Sequence, residues 1–536
     1  MKKAILLPSL CILFILLPLT TLSQPSQQMP GINDPINIEK LYLHTDRQYY
    51  FLGDSLRFKG YYLNGRTQQL SPGFCKMYLE LINDSGEILL SRMYAIEKGV
   101  TMGQIPLAET MKPGQYLLRA YTDSQKRIGE DAFFHLSFKV SKVQSTLDQP
   151  TLGVSQASIA AVDLAFLPEG GFLLEDRMNT VGIKTVGPSG KSVQVKGKIL
   201  DDEGNTMASF LTAYKGMATI LFRPEKGKKY HIALENYPDF NYQIGDIKKR
   251  GIKLEFIGES DTEFLFRVTT NAQAFQDKRY VFAIMHRGTL VYDQEFVLKN
   301  TDFPIKVAHE ALPAGINRLI LLDASLTPLS ERLCFSPNPE VNHIQIESDR
   351  YAYSTRSPVE IKLSDEEDLG KMGWSSLSMS VVSEHAVDNK LGNLDILSWL
   401  LIDSELKGAI ESPSDFFIDD DTLSSREKLN LLMLTQGWSR YLWNTLPEED
   451  LQYDFLQADG ITLSGHVRKA MSKKPVRNGL VSCIIYSNKG FLNESTTTDE
   501  LGNFLFPDLY FTDTVALFLQ GFNQRGKLYT EIFLDP

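Results

Sequence analysis

Thr45-Asp46-Arg47-Gln48-Tyr49-Tyr50-Phe51-Leu52-Gly53-Asp54-Ser55-Leu56-Arg57-Phe58 is the stretch that decides the fold class of this chain. It reads as one short strand, a tight Gly-Asp turn and the start of a second alternating strand. Runs of the same kind recur along the sequence, for example Lys76-Met77-Tyr78-Leu79-Glu80-Leu81 and Gln115-Tyr116-Leu117-Leu118-Arg119-Ala120. Turn clusters separate them: Asn83-Asp84-Ser85-Gly86, Lys112-Pro113-Gly114, Gly187-Pro188-Ser189-Gly190, Asp201-Asp202-Glu203-Gly204 and Asp499-Glu500-Leu501-Gly502. Short strands at this spacing imply β-sandwiches. With 536 residues the chain exceeds one core, and about 100–150 residues per domain gives four or five units.

The sequence also repeats itself. Asp46-Arg47-x-x-Tyr50 with Leu56 and Phe58 recurs without a gap as Asp349-Arg350-x-x-Tyr353 with Val359 and Ile361, at a constant offset of 303. Lys112-Pro113-Gly114-Gln115-Tyr116-Leu117-Leu118-Arg119 is echoed by Leu312-Pro313-Ala314-Gly315-Ile316-Asn317-Arg318-Leu319. One sandwich type is therefore used several times, in an all-β chain of tandem sandwiches. The expected units are 38–145, 160–250, 251–340, 341–458 and 459–536, with the polar stretch Gln144–Ser158 as a linker.

Met1-Lys2-Lys3, the apolar run Ala4–Leu19 and the small-residue site Thr21-Leu22-Ser23 form a secretory signal over 1–23, with cleavage before Gln24 and a linker over 24–37. Pro8 and Pro18 break that run, which falls short of the roughly 18–20 residues of a spanning helix. A lipid anchor needs a cysteine at the cleavage point, and Cys11 lies inside the apolar run. A periplasmic or cell-surface product with no membrane span of its own is expected. The net charge of −11 becomes −13 once Lys2 and Lys3 are removed, a balance that excludes nucleic acid as the partner. Cys75, Cys334 and Cys483 are far apart in apolar stretches and read as buried free thiols, with no disulfide framework.

Thr45-Asp46-Arg47, Tyr50 and Gly53-Asp54 resemble the opening of a macroglobulin (MG2-type) domain, the β-sandwich unit of the alpha-2-macroglobulin family. Phe166-Leu167-Pro168-Glu169-Gly170-Gly171 and Gly216-Met217-Ala218-Thr219 ahead of Arg223-Pro224-Glu225 resemble macroglobulin-like domains of Bacteroidetes surface proteins. Gly465-His466-Val467, Pro475-Val476-Arg477-Asn478 and Thr498-Asp499-Glu500-Leu501-Gly502-Asn503-Phe504 resemble a carboxypeptidase regulatory-like (transthyretin-like) domain. In the proteins it resembles, that domain commonly precedes a TonB-receptor plug. A plug and barrel need several hundred residues beyond Pro536, so the chain is not expected to be a transporter by itself.

The β pattern breaks once, in a helical insert at 393–445 of the fourth unit. Asn393 is the expected N-cap of a helix over Asp395–Ile410, and Ser424-x-x-Glu427 a capping box for a second helix to about Trp443. All four tryptophans lie in the fourth unit. Trp399, Trp438 and Trp443 are the candidate anchors for a partner, and the acidic Asp419-Asp420-Asp421 loop the element that steers a basic one.

Catalytic constellations are not found. A macroglobulin thioester needs Cys-Gly-Glu-Gln, yet Cys75 is followed by Lys76, Cys334 by Phe335 and Cys483 by Ile484. His44, His135, His231, His286, His309, His343, His385 and His466 lack His-x-x-x-His spacing, and the acidic runs Asp365–Asp368 and Asp419–Asp421 lack the calcium-loop pattern. The expectation is a non-enzymatic binding or assembly scaffold of the bacterial envelope, without cofactor or metal, whose partner is an envelope or outer-membrane protein. Its rivals are an endopeptidase inhibitor of the alpha-2-macroglobulin kind, whose partners would be proteases, and the N-terminal periplasmic part of a TonB-dependent transporter.

Overall fold

The computed structural model describes residues 39–142, 161–245, 247–337, 344–365, 376–383, 394–437, 461–487, 490–509 and 515–535. The signal segment, the linkers 24–37 and Gln144–Ser158, Asn393, and Trp374, Trp438 and Trp443 lie outside them. Strands dominate, as the alternating pattern requires. In the first unit Lys40–Thr45, Ser55–Leu63, Val100–Pro106, Ile88–Glu97, Phe74–Asn83, Gly114–Thr122, Phe134–Ser141 and Tyr49–Phe51 follow one another in a single folded-over sheet. A three-stranded and a four-stranded sheet then face each other over 163–244, and again over 252–336. Residues 461–534 form two three-stranded sheets, and Ile344–Ser348 pairs with Ile361–Asp365. Each of the four sandwiches encloses its own apolar cluster.

The opening motif departs from the expected hairpin. Its two strands do not pair with each other: Ser55–Leu63 runs antiparallel to Lys40–Thr45, while Tyr49–Phe51 crosses over to lie parallel to Phe134–Ser141. The excursion between them is closed by Asp46. Its N–H donates to the Arg57 carbonyl at 2.9 Å, and its Oδ1 accepts from the Tyr50 hydroxyl at 2.8 Å and the Arg57 N–H at 2.9 Å. Gly53 sits at φ +89° and donates to Leu107, a conformation that a side chain rarely adopts. Tyr50 is fully buried, edge-on to Phe138. Truncating a large core aromatic of this kind costs about 3–5 kcal/mol.

The repeat is a repeat of geometry. At the offset of 303, the Asp349 N–H donates to the Glu360 carbonyl at 3.0 Å, and its Oδ1 accepts from the Glu360 N–H and the Tyr353 hydroxyl. The second echo holds as well. With a shift of one residue, the turns share a bond: the Tyr116 hydroxyl donates to the Lys112 carbonyl four residues back, and the Asn317 amide to the Pro313 carbonyl four residues back, at 2.9 Å. One five-residue turn recurs at Asn83, Asp201, Asp323, Asp499 and Asn523, whose side-chain oxygen accepts from the N–H groups two and four residues on. This is the Asx turn that the sequence clusters announce.

The insert departs further from expectation. Instead of a helix over 395–410 there is one α-turn, Ile396–Ser398, capped by Asp395, followed by a π-turn, Trp399–Asp403. The next residues turn away, and Gly408 adopts φ +82°. Trp399, Leu401, Ile402, Ser404, Glu405 and Leu406 are all buried, so no polar face is left for a surface helix. The second helix runs Ser425–Thr435 with the Ser424–Glu427 capping box formed. Gln436 ends it, short of Trp443.

Candidate interaction site at the domain junction

Residues 394–437 touch all three preceding sandwiches, and their apolar cluster includes Met217 from the second and Ile316, Leu333 and Phe335 from the third. The first sandwich receives Trp399, whose ring stands edge-on to Phe134 at 5.0 Å between centroids. The second receives the helix Ser425–Thr435 at Gly182, where a Cβ would lie 2.9 Å from Leu434 Cγ. Lys215 Nζ donates to Asp415 Oδ2 at 2.8 Å, and Tyr214 packs edge-on to Phe416. Into the third sandwich goes Leu401, beside Gly315.

At the centre lies a buried charge cluster drawn from three units. Glu405, 2% exposed, accepts from Lys40 Nζ, on the first strand of the first sandwich, and from Arg287 Nε at 2.9 Å, on a turn of the third. Lys40 also donates to the Leu400 carbonyl at 3.0 Å, and Arg287 Nη1 to the Arg66 carbonyl at 3.3 Å. Burial raises the Glu405 carboxyl, but the two cations outweigh it and hold the group below the usual carboxylate range. Neighbouring His286 donates from Nδ1 to the Ile316 carbonyl at 3.1 Å. Burial, helped by the Arg287 charge, lowers it to about 4.

A second buried pair explains the Pro168-Glu169-Gly170-Gly171 motif. Glu169 Oε1 accepts from Arg332 Nε at 2.7 Å and from the Phe256 N–H at 3.0 Å, tying the second sandwich to the third. Arg332 Nη2 continues to Asn430 Oδ1 at 2.7 Å, on the insert helix. Burial pushes the Glu169 carboxyl up, opposed by the Arg332 charge. Gly170 adopts φ +77°, and a Cβ there would lie 2.6 Å from Ser330 Oγ. The glycines thus serve the approach of two domains as well as a turn.

The sequence-predicted site residues fall differently from expectation. Trp399 is 2% exposed and packs between insert and first sandwich, so it is no surface anchor. Asp419 Oδ1 accepts from the Ser425 N–H at 2.6 Å, and Asp420 accepts from the Leu423 N–H and from Lys428 Nζ at 2.6 Å. Two of the three acids therefore clasp the helix N-terminus, where the backbone N–H groups favour negative charge; Asp421 is exposed. The residues that sequence reasoning missed are Lys40, Arg287, Glu405 and Arg332; Glu169 was quoted in its motif, but not its partner. Their one local signal is a charge inside an apolar run, as in Leu400-Leu401-Ile402-Asp403-Ser404-Glu405-Leu406.

Among the described residues no group of three or more His, Cys, Asp and Glu is placed to hold a metal, and no helix is long and apolar enough to cross a membrane. Cys334 and Cys483 are buried as expected, whereas Cys75 is only half-buried; burial raises all three thiols, that of Cys75 to about 12.

No family model matches the chain, and no curated protein does. Solved structures similar to it include Escherichia coli alpha-2-macroglobulin activated by porcine elastase, at 11% identity over 92% of this chain and 43% of that one, TM-score 0.22. Salmonella alpha-2-macroglobulin reacted with methylamine aligns at 10% identity over 96% of this chain and 40% of that one, TM-score 0.18. Dimeric latent PorU from Porphyromonas gingivalis aligns at 12% over 56% of this chain and 34% of its own length, TM-score 0.25. The chain spans less than half the length of each, and at these scores the likeness carries no statement about activity.

Proposed function

We propose that this protein is a non-enzymatic scaffold of the bacterial cell envelope, exported through its N-terminal signal, that holds consecutive β-sandwiches in a set arrangement for an envelope or outer-membrane partner. The observation that carries the reading is the cluster of Lys40, Glu405 and Arg287, which joins three units through one buried carboxylate. Buried ion pairs are directional and tolerate little misplacement, so they specify orientation more than they add stability. The strongly perturbed buried groups at the junction are engaged in holding domains together, which supports a structural rather than a chemical task. The alternating sandwiches supply the outer surface and the insert sets their angles.

Small-angle X-ray scattering on the full chain tests this. A single rigid shape is expected for the wild type, and expansion with new protease-sensitive sites between sandwiches for Glu405→Gln. Wild-type scattering that requires an ensemble of hinge-bent shapes overturns the reading. Fractionation of expressing cells tests the compartment, since a cytoplasmic product retaining Lys2 and Lys3 contradicts export.

A further inference from the structure

In the last sandwich one sheet has Leu480–Ser487 at its centre, flanked by Gly490–Thr497 and Ala516–Phe522. Val481, Cys483 and Ile485 turn into the core, so alternation sends Ser482, Ile484 and Tyr486 outward. The register carries their neighbours to the same face: Phe491 lies opposite Tyr486, Asn493 and Phe518 flank Ile484, and Ser495 and Gln520 flank Ser482. Tyr486, Phe491 and Phe518 are 50%, 71% and 59% exposed. The Tyr486 and Phe491 rings lie 6.0 Å apart at 36°, while Phe518 stands edge-on to Tyr486 at 5.7 Å and 89°. The three rings therefore form an open corner, two as a tilted floor and one as a wall.

The rest of the face is polar but uncharged. Asn493, Ser495 and Gln520 are exposed there, and in a chain of net charge −11 no side chain on this face, along Leu480–Tyr486 and its cross-strand partners, carries a charge. Glu494 stands opposite Cys483, on the core side. Recognition here cannot rest on ion pairing. Exposed aromatic faces favour a covering of C–H groups, which meet the negative face of the ring. The adjacent amides and hydroxyls each donate and accept, and a covering of hydrocarbon alone would strip their water without replacing its hydrogen bonds. A lipid surface or an apolar protein face meets the first demand and fails the second. A pyranose ring meets both, since its C–H face is apolar and the hydroxyls around its edge donate and accept. We infer that this sheet face binds a neutral oligosaccharide, with one sugar ring stacked in the corner of Tyr486, Phe491 and Phe518 and its neighbours hydrogen-bonded to Asn493, Ser495 and Gln520. Residues two apart on a strand are about 7 Å apart, so the polar groups extend along the sheet from the corner. The inference goes beyond the scaffold reading and is independent of it, because it gives the C-terminal sandwich a ligand of its own.

Isothermal titration of the full chain with maltohexaose, cellohexaose, mannohexaose and chitohexaose tests it. Saturable binding of at least one is expected. Phe491→Ala with Phe518→Ala, both exposed, should weaken that binding roughly tenfold or more, and Asn493→Ala with Gln520→Ala roughly fivefold, each with the thermal transition unchanged. No binding by any of the four saccharides, or undiminished affinity in either double variant, overturns the inference. Sedimentation and vesicle flotation examine the other occupants. A wild-type dimer that the Phe491→Ala, Phe518→Ala variant dissolves assigns the face to a second copy, and flotation with phosphatidylethanolamine vesicles lost in that variant assigns it to lipid; either result overturns the glycan site. Scattering on the same samples separates the two levels: a rigid chain that binds no saccharide refutes only the glycan site, whereas a hinge-bent chain that binds one refutes only the scaffold.

Discussion

Replacing Glu405 by Gln removes one negative charge and leaves two cations facing each other in the junction. Lys40 is 2% exposed and Arg287 8%, so neither is rescued by water. Carbonyl acceptors remain, Leu400 at 3.0 Å for Lys40 and Arg66 at 3.3 Å for Arg287, which softens the loss without neutralising charge. Removing one partner of a buried ion pair costs about 3–5 kcal/mol, most of it the uncompensated charge left behind. The cost falls on the contact between units, because each sandwich retains its own core. In urea, Glu405→Gln is therefore expected to split the unfolding curve, with an early transition for separation of the sandwiches and later ones for their cores. The combined variant Lys40→Met, Glu405→Leu, Arg287→Met should recover most of the loss, since no charge is then stranded. A Glu405→Gln chain that unfolds within about 1 kcal/mol of wild type in a single transition would refute the reasoning, as that is the range of exposed pairs.

The remaining predictions concern separate elements. His286 titrates at about 4 in the fold against 6.5 when unfolded, so the unfolded chain takes up a proton first and stability falls between pH 6.5 and 4, by about 3 kcal/mol. Glu405 works at lower pH: its depressed carboxyl adds stability above its unfolded value of 4.5, lost as pH falls through the folded one. A stability curve flat from pH 7 to 4.5 would contradict the His286 assignment. Gly170→Ala should cost about 2–3 kcal/mol, from left-handed strain and the clash with Ser330, whereas Gly171→Ala, at φ +90° in open space, should cost about 1; equal losses in thermal melts would show the clash to be absorbed. Iodoacetamide at pH 8 should label Cys75, Cys334 and Cys483 only after denaturation, and methylamine should add no mass to any of them. Rapid native labelling or an amine adduct would count against inert thiols at the buried Cys334 and Cys483 and the half-buried Cys75.

What could be read from the sequence was local. Alternation gave sandwiches, Asn83-Asp84-Ser85-Gly86 and its relatives gave Asx turns, and Ser424-x-x-Glu427 gave a helix start, because each is settled by contacts within a few residues. The opening motif was legible as two strands but not in its pairing. Its crossover depends on an open edge at Phe134–Ser141, which no short window around the motif contains. The junction was illegible for the same reason taken further. Lys40 reads as an ordinary strand lysine, and nothing near it says that its carboxylate lies 365 residues away. Trp399 was singled out correctly as unusual and assigned to the wrong surface, since burial against Phe134 and exposure to a partner leave the same mark in composition. The helix expected at 395–410 failed because packing from three sides overrode its 3.6-residue period.

The separation of Lys40 from Glu405 has a consequence in time. At roughly 5–20 residues per second of synthesis, about 20–70 s pass between the emergence of the lysine and that of its carboxylate. Over that interval the first sandwich must keep company with an unpaired cation, and toward its end an apolar seam, Ile316, Leu333 and Phe335, is added whose neighbour is not yet made. Assembly of the junction is thus a late event, and the half-made chain is the form most exposed to aggregation and proteolysis. A chaperone that recognised this seam would in effect be reading how much of the chain had been delivered.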